Sequence, residues 1–331
     1  MRPRPSRTLR ALVVGWVLLL ASRRAAWAQT GAVVEGAIEL IAPIGARSLG
    51  MGQAAVASGF GSDGLWWNPA LIARGPREVA LHIARSPANV TESDASAAVV
   101  FPIHRLGAVA FSFRYLNLGS FEPTLDPNSP EATAVNTSAV FAASFGAPFG
   151  DRLSAGITVK LFRSMTSCTG GNCDLPSNDP TTGALDLGAQ YFLTKDSAFT
   201  LGAAAQNIGL RLQVNDAPQA DQIPSRIQVG IAAAPKFSQL PKEARVRGEF
   251  DIVARPSGVG GLGYRMGGEA SWQGRYQGRV GYVVHGPTGS GPTFGAGFST
   301  GKLQIDFAQM LSDFGSQAGS QPTYLSLRYI F

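Results

Sequence analysis

The sequence predicts an all-β fold, a transmembrane antiparallel β-barrel of about 14 strands with an N-terminal hatch inside the lumen. Three observations predict it. From residue 77 to Phe331, apolar and polar residues alternate with a period of two in successive short segments, the mark of strands with one face apolar and one polar. The composition is glycine-rich and charge-poor, with 40 glycines and 15% charged residues. After the N-terminal region no run of eighteen apolar residues appears, so no helix is expected to cross a bilayer.

Residues 1–28 come first. Arg2, Arg4, Arg7 and Arg10 precede an apolar run over 11–21, and Ala26-Trp27-Ala28 follows. A basic stretch, a short apolar core and an A-x-A site describe a cleaved secretory signal. The apolar run is too short to span as a helix, and no cysteine follows the site to carry a lipid anchor. These residues hold six arginines and no acid, so without them the net charge of +6 falls to about zero. A basic balance therefore gives no support to nucleic-acid binding, and no nucleic-acid partner is expected.

Residues 29–76 form the hatch segment. Its centre, residues 45–70, is a small-residue run, a Gly-Ser-Asp-Gly turn, two tryptophans and Asn68-Pro69-Ala70. Small residues from Gly50 to Ala57 allow close backbone packing inside a lumen. Asn68 suits a helix cap and Pro69 the first helical position, where a missing N–H costs nothing. Trp66 and Trp67 are expected to wedge against the wall. Most of these residues offer backbone fit rather than reactive groups, so they read first as a packed plug.

The barrel is expected over 77–331, with strands near 77–85, 94–103, 107–118, 136–147, 152–163, 182–192, 199–206, 226–234, 245–254, 263–272, 276–284, 293–299, 302–310 and 323–331. Leu153, Ile157, Val159 and Leu161 alternate with Ser154, Thr158 and Lys160. Val246, Phe250 and Ile252 alternate with Arg245, Arg247, Glu249 and Asp251, and four charges cannot face lipid. Tyr276, Val280 and Tyr282 likewise alternate with Gln277 and Arg279. Together with Glu269 and Arg275, these charges are expected to line the lumen, chiefly by pairing and holding the hatch.

Even-numbered connections are mostly short, and several odd ones (119–135, 164–181, 207–225) are long and rich in Pro, Asn and Gly. Short turns belong on the periplasmic side of an outer-membrane barrel, which would put both termini there. The long connections carry few large apolar residues and do not make an apolar capture site. Cys168 and Cys173, in one of them, flank Gly170-Gly171; in an exported chain a local disulfide is expected, and a C-x4-C pair without histidine is a poor zinc site. The last segment puts Leu325, Leu327, Tyr329 and Phe331 on one face, with Ser326 and Arg328 opposite. It resembles the aromatic-ended final strand that barrel-assembly machinery recognises, which implies that machinery and outer-membrane lipid as partners.

Gly45-Ala46-Arg47, Gly50-Met51-Gly52 and Trp67-Asn68-Pro69-Ala70 resemble the GAR-x-x-GMGGA…YWNPA signature at the start of the PorV/PorQ family, within the wider FadL-like outer-membrane superfamily. Leu201-Gly202 to Asn207-Ile208-Gly209 and Ile223-Pro224-Ser225-Arg226 are similar to its later LG-x-x-x-QNLG and LP-x-R segments. Gln53 and Leu71 depart from the glycines usual there. The resemblance implies a 14-stranded barrel with an internal hatch. It also implies an accessory role in type IX-like protein secretion, with secretion-system subunits or cargo as partners. The FadL branch implies the alternative, transport of hydrophobic small molecules.

No enzyme, metal or cofactor is expected. Gly59/Gly61/Gly64 and Gly258/Gly260/Gly263 match G-x-G-x-x-G but lack the strand-to-helix context of a dinucleotide site. His82, His104 and His285 are scattered, with no nucleophile to pair with.

Overall fold

A computed structural model of the chain describes residues 35–331 apart from 60, 86–92, 123–131, 171–178, 195, 214–219, 257–261, 287–288 and 312–322. The expected signal at 1–28 and the start of the hatch segment lie outside the described residues, as does Cys173.

Fourteen strands form one closed antiparallel barrel, β1 pairing with both β2 and β14. They are β1 (Glu78–Arg85), β2 (Ser93–Ile103), β3 (Gly107–Phe121), β4 (Thr133–Phe149), β5 (Leu153–Thr169), β6 (Thr181–Phe192) and β7 (Phe199–Gly209). The second half is β8 (Arg226–Ala233), β9 (Ala244–Ala254), β10 (Gly263–Trp272), β11 (Tyr276–Gly286), β12 (Gly289–Ser299), β13 (Leu303–Met310) and β14 (Thr323–Ile330). Every expected strand has its counterpart. The alternation also falls on the expected faces: Leu161, Phe250, Val280 and Leu327 point outward, while Lys160, Asp251, Arg279 and Arg328 are buried inside. An apolar outside around a charged inside is the reverse of a soluble barrel and suits lipid.

Two strands run furthest beyond expectation. β4 and β5 each have 17 residues and stay paired to Thr133↔Thr169. At roughly 3.3 Å per residue they measure about 55 Å, more than a hydrocarbon core of about 30 Å requires even with tilt. Their ends are polar because they stand in water, and water leaves no apolar alternation to read. Cys168 therefore sits at the end of β5 rather than in a loop, and it is disulfide-bonded.

The hatch fills the lumen with short helical pieces: α1 (Ala46–Gly50), α2 (Gly64–Trp67) and 3-10 turns at Ile38–Ile41, Gly61–Asp63 and Pro69–Arg74. As expected, Asn68 caps the last of these, its side chain accepting from the Ala70 N–H at 3.0 Å with Pro69 in the first position. The segment starts at the end of the barrel that carries the long connections, where Gly36 donates to Gln222 O at 2.9 Å. It finishes at the opposite end, where Arg74 donates to Gly150 O in the short β4–β5 turn at 2.6 Å.

Candidate functional site

Close fit to the wall requires missing side chains on the wall. Gly156, Gly188, Gly202, Gly267 and Gly281 face inward, and a Cβ on any of them would collide with Pro69, Asn68, Val56, Met51 or Gly52. Three further contacts fix Asn68 and its neighbours: Asn68 donates to Val56 O at 2.7 Å and Ala189 O at 3.0 Å, and Gln190 donates to Ala57 O at 2.8 Å. The hatch and a belt of glycine backbone are thus one packed unit, and the residues Gly50, Met51, Gly52, Asn68, Pro69 and Ala70 serve that packing.

Charges secure the hatch at several places. On β9, Glu249 accepts the N–H of Ala57 at 2.6 Å and of Ser58 at 3.1 Å, and also bonds the Ser58 hydroxyl. Asp251 accepts the N–H groups of Ala55 at 3.0 Å and Val56 at 3.3 Å. Four backbone donors without a helix or sheet partner are satisfied in this way. Around α1, Arg47 reaches Glu269 at 3.2 Å, and Arg279 bridges Glu269 and Asp306, both at 2.7 Å. Burial alone would lower the Arg47 guanidinium, but the Glu269 and Asp63 charges together with the Glu269 hydrogen bond outweigh it, and the group is held above its ordinary range.

A third cluster lies where the first and last strands meet. Arg328 on β14 binds Asp63 of the hatch at 3.0 Å and Glu78 of β1 at 3.5 Å, and Glu78 accepts the Ser62 N–H. Ser326 accepts the Ala46 N–H at 2.8 Å, beside the left-handed Gly45 (φ 88°), and lies 2.8 Å from His82 Nδ1. Burial pushes the Asp63 carboxyl up, but Arg328 first among its neighbours holds it below the usual carboxylate range.

Of the expected lumen charges, Glu249, Asp251, Glu269 and Arg279 belong to these networks, and Arg247 is half-buried among them. Arg245 and Arg275 do not. Both are exposed, at the start of β9 and in the β10–β11 turn, because the strands leave the lumen at that end. Sequence reasoning missed Asp63, Glu78, Asp306 and Asp186 as partners. Each lies among mixed residues, and only strand register shows which cation it meets.

Both tryptophans carry cations. Trp66 lies under Arg114 and Lys160, each 5.8 Å from a ring centroid, and Lys160 pairs with Asp186 at 2.6 Å. Trp67 lies under Arg226 at 5.6 Å and Arg265 at 5.3 Å, and donates its indole N–H to Ile44 O at 3.0 Å. Such stacking is worth about 2 kcal/mol where water is excluded.

Among the described residues, two cavities of several hundred Å³ mark the wall. One, of about 570 Å³, is an apolar depression on the outer face lined by Phe250, Met266, Val280 and Tyr282 with Gly248 and Gly268. The other, of about 390 Å³, is at the long-connection end between β7 and β8. There the β7–β8 ladder ends at Gln206↔Arg226, while β7 continues to Gly209 bonded to β6 alone. The gap is lined both by buried lumen residues, Asn207 and Arg226, and by the outward Ile208 and Ile227, which are 46% and 42% exposed. Asn207, at φ 55°, turns β7 out of register and donates to Leu40 O of the hatch at 3.5 Å.

The terminal pair is outward-facing. Phe331 packs edge-on to Tyr329 with centroids 5.0 Å apart, and the Arg77 guanidinium lies 5.0 Å over its ring.

No protein-family model matches the chain, and no curated protein matches it in sequence. Solved structures do match. The toluene transporter TodX of Pseudomonas putida is similar at 12% identity and a TM-score of 0.58, over 87% of this chain and 98% of that one. The monoaromatic hydrocarbon channel CymD gives 13% and 0.54, over 88% and 98%. A FadL homologue of Pseudomonas aeruginosa gives 12% and 0.50, over 88% and 99%. At such identities the likeness shows the fold alone: this chain is built as a closed 14-stranded barrel of the kind seen in the FadL/TodX outer-membrane channels.

Proposed function

We propose that this protein is an outer-membrane channel that passes small hydrophobic molecules, with its short turns and both termini on the periplasmic side. The observation that carries the reading is the gap between β7 and β8, where one pocket of about 390 Å³ is lined by lumen residues and lipid-facing isoleucines together. The hatch closes the straight route through the barrel, so a ligand entering among the long connections meets Leu40 and Asn207 and is directed sideways. Apolar lining with a few fixed polar groups suits a compact apolar ligand. The fold shared with a toluene transporter and a monoaromatic hydrocarbon channel points to the same ligand class.

The secretion-accessory role implied by the PorV/PorQ resemblance rests on residues 45–70. In the structure those residues seat the hatch, a task either branch requires, so they do not favour export.

The test is entry of toluene into liposomes containing the purified protein. The reading expects faster entry than in empty liposomes, and slower entry when Ile208→Trp narrows the gap. No acceleration, together with co-purification of secretion-system subunits from detergent extracts, would overturn it in favour of export.

A further inference from the structure

Above the hatch, on the side of the long connections, three cations converge with no acid between them. Arg226 opens β8, Arg255 follows β9, and Arg265 stands near the start of β10; with Ile41, His285 and others they line a small cavity of about 10 Å³. Arg226 and Arg265 are 5% and 3% exposed. Among the described residues none of the three makes an ion pair. Arg226 donates Nε to Gln206 Oε1 at 2.7 Å, and Arg265 donates Nη1 to Gln228 Oε1 at 3.1 Å and Gln53 O at 3.4 Å, all neutral acceptors.

The nearby carboxylates are already engaged. Asp186 acts on Arg226 from a distance but is bound to Lys160 at 2.6 Å. Asp251 acts on Arg265 but is bound to hatch N–H groups and to Gln228 Nε2 at 2.7 Å. The three arginines repel one another. Holding like charges together in a poorly hydrated place is costly unless an anion joins them. The hatch prevents escape, since Arg226 and Arg265 are both held over Trp67.

Arg226 lines this cavity and also the β7–β8 pocket. The small cavity has room for about one water-sized group and no more. The neighbouring pocket of about 390 Å³ offers Ile208, Ile223 and Ile227. One oxygen of a carboxylate fits the first, and a compact apolar body fits the second.

We propose that Arg226, Arg255 and Arg265 form a carboxylate site, and that the small hydrophobic molecules this barrel takes include organic acids with a compact apolar body, held more tightly than neutral analogues of the same shape. The site deepens the transport reading and rests on it for its purpose, though not for its binding chemistry. Guanidinium forks match carboxylate geometry and gain strength where water is excluded.

The probe is benzoate, titrated into the full-length protein in detergent by calorimetry and by the fluorescence of the tryptophans. Saturable binding at least tenfold tighter than benzyl alcohol, and about tenfold weaker in Arg255→Gln, is expected from the loss of one charge-assisted hydrogen bond. Arg255 stacks on neither tryptophan among the described contacts, so its variant should fold; heat-modifiable migration checks this. The comparison of benzoate with benzyl alcohol needs no variant at all. Equal affinity for the two would overturn the proposal, as would inorganic phosphate binding as tightly as benzoate, which would mark a site for free oxyanions. Toluene entering liposomes without benzoate binding would sink this site alone. Benzoate binding without any solute entry would sink the transport reading and leave the site standing.

Discussion

A single residue shows how sequence and structure answer each other. Gln53 stands where the PorV/PorQ signature has glycine, and its backbone is left-handed, at φ 61°. The position needs that conformation because the hatch reverses there: Gln53 N–H returns to Ser48 O at 2.9 Å, next to Gly52, which is also left-handed at φ 65°. A side chain in this region costs about 1–2 kcal/mol. The Gln53 side chain is fully buried, and among the described residues its amide has no hydrogen-bond partner. Gln53→Gly should therefore stabilise the hatch by about 1 kcal/mol, the gain in strain offset in part by greater freedom of the unfolded chain. The measurement is thermal unfolding of the purified protein; an unchanged or lower midpoint would show that burial of the Gln53 stem outweighs the strain.

At the scale of the element, one strand contains its own control. On β11, Gly281 faces inward and a Cβ there would strike the Gly52 and Met51 backbone, whereas Gly278 faces outward with nothing within 4 Å of a Cβ. Gly281→Ala should dislodge the hatch, making residues near Met51 accessible to protease while heat-modifiable migration shows the barrel intact. Gly278→Ala should change neither. Equal protease sensitivity in the two would mean that the glycine belt is not what seats the hatch. Alternation placed both glycines on their faces, but a glycine in a strand also reads as a bulge or a weak point. Only the hatch opposite Gly281 gives it a reason.

At the scale of the whole molecule the decisive feature is closure. β1 and β14 pair from Glu78↔Ile330 to Arg85↔Thr323, so the ladder that closes the barrel joins residues from opposite ends of the chain. Such contacts carry a large loop-closure cost. The hatch lies across this junction, with Asp63, Ser62 and Ala46 bonding Arg328, Glu78 and Ser326. On the outside, Phe331 donates its N–H to Arg77 O at 3.0 Å and packs on Tyr329. Phe331→Ser should slow closure and leave a larger fraction of unfolded chain in the periplasm, read as loss of the heat-modifiable band. Normal assembly of this variant would remove the assembly role given to the last strand.

The sequence by itself determined the class of fold, the number of strands and the face each strand turns to lipid. Those follow from a period-two pattern, and lipid outside against charge inside makes that pattern strict. It also marked residues 45–70 as a separate element, because small residues, two tryptophans and Asn68-Pro69 do not alternate. Tertiary structure alone decided which charges meet. Arg47 finds Glu269 across 222 residues and Ala46 finds Ser326 across 280, distances at which no local pattern speaks. It likewise decided that Arg226, Arg255 and Arg265 come together without an acid, since arginines on β8, just past β9 and on β10 become neighbours only when register and closure are fixed.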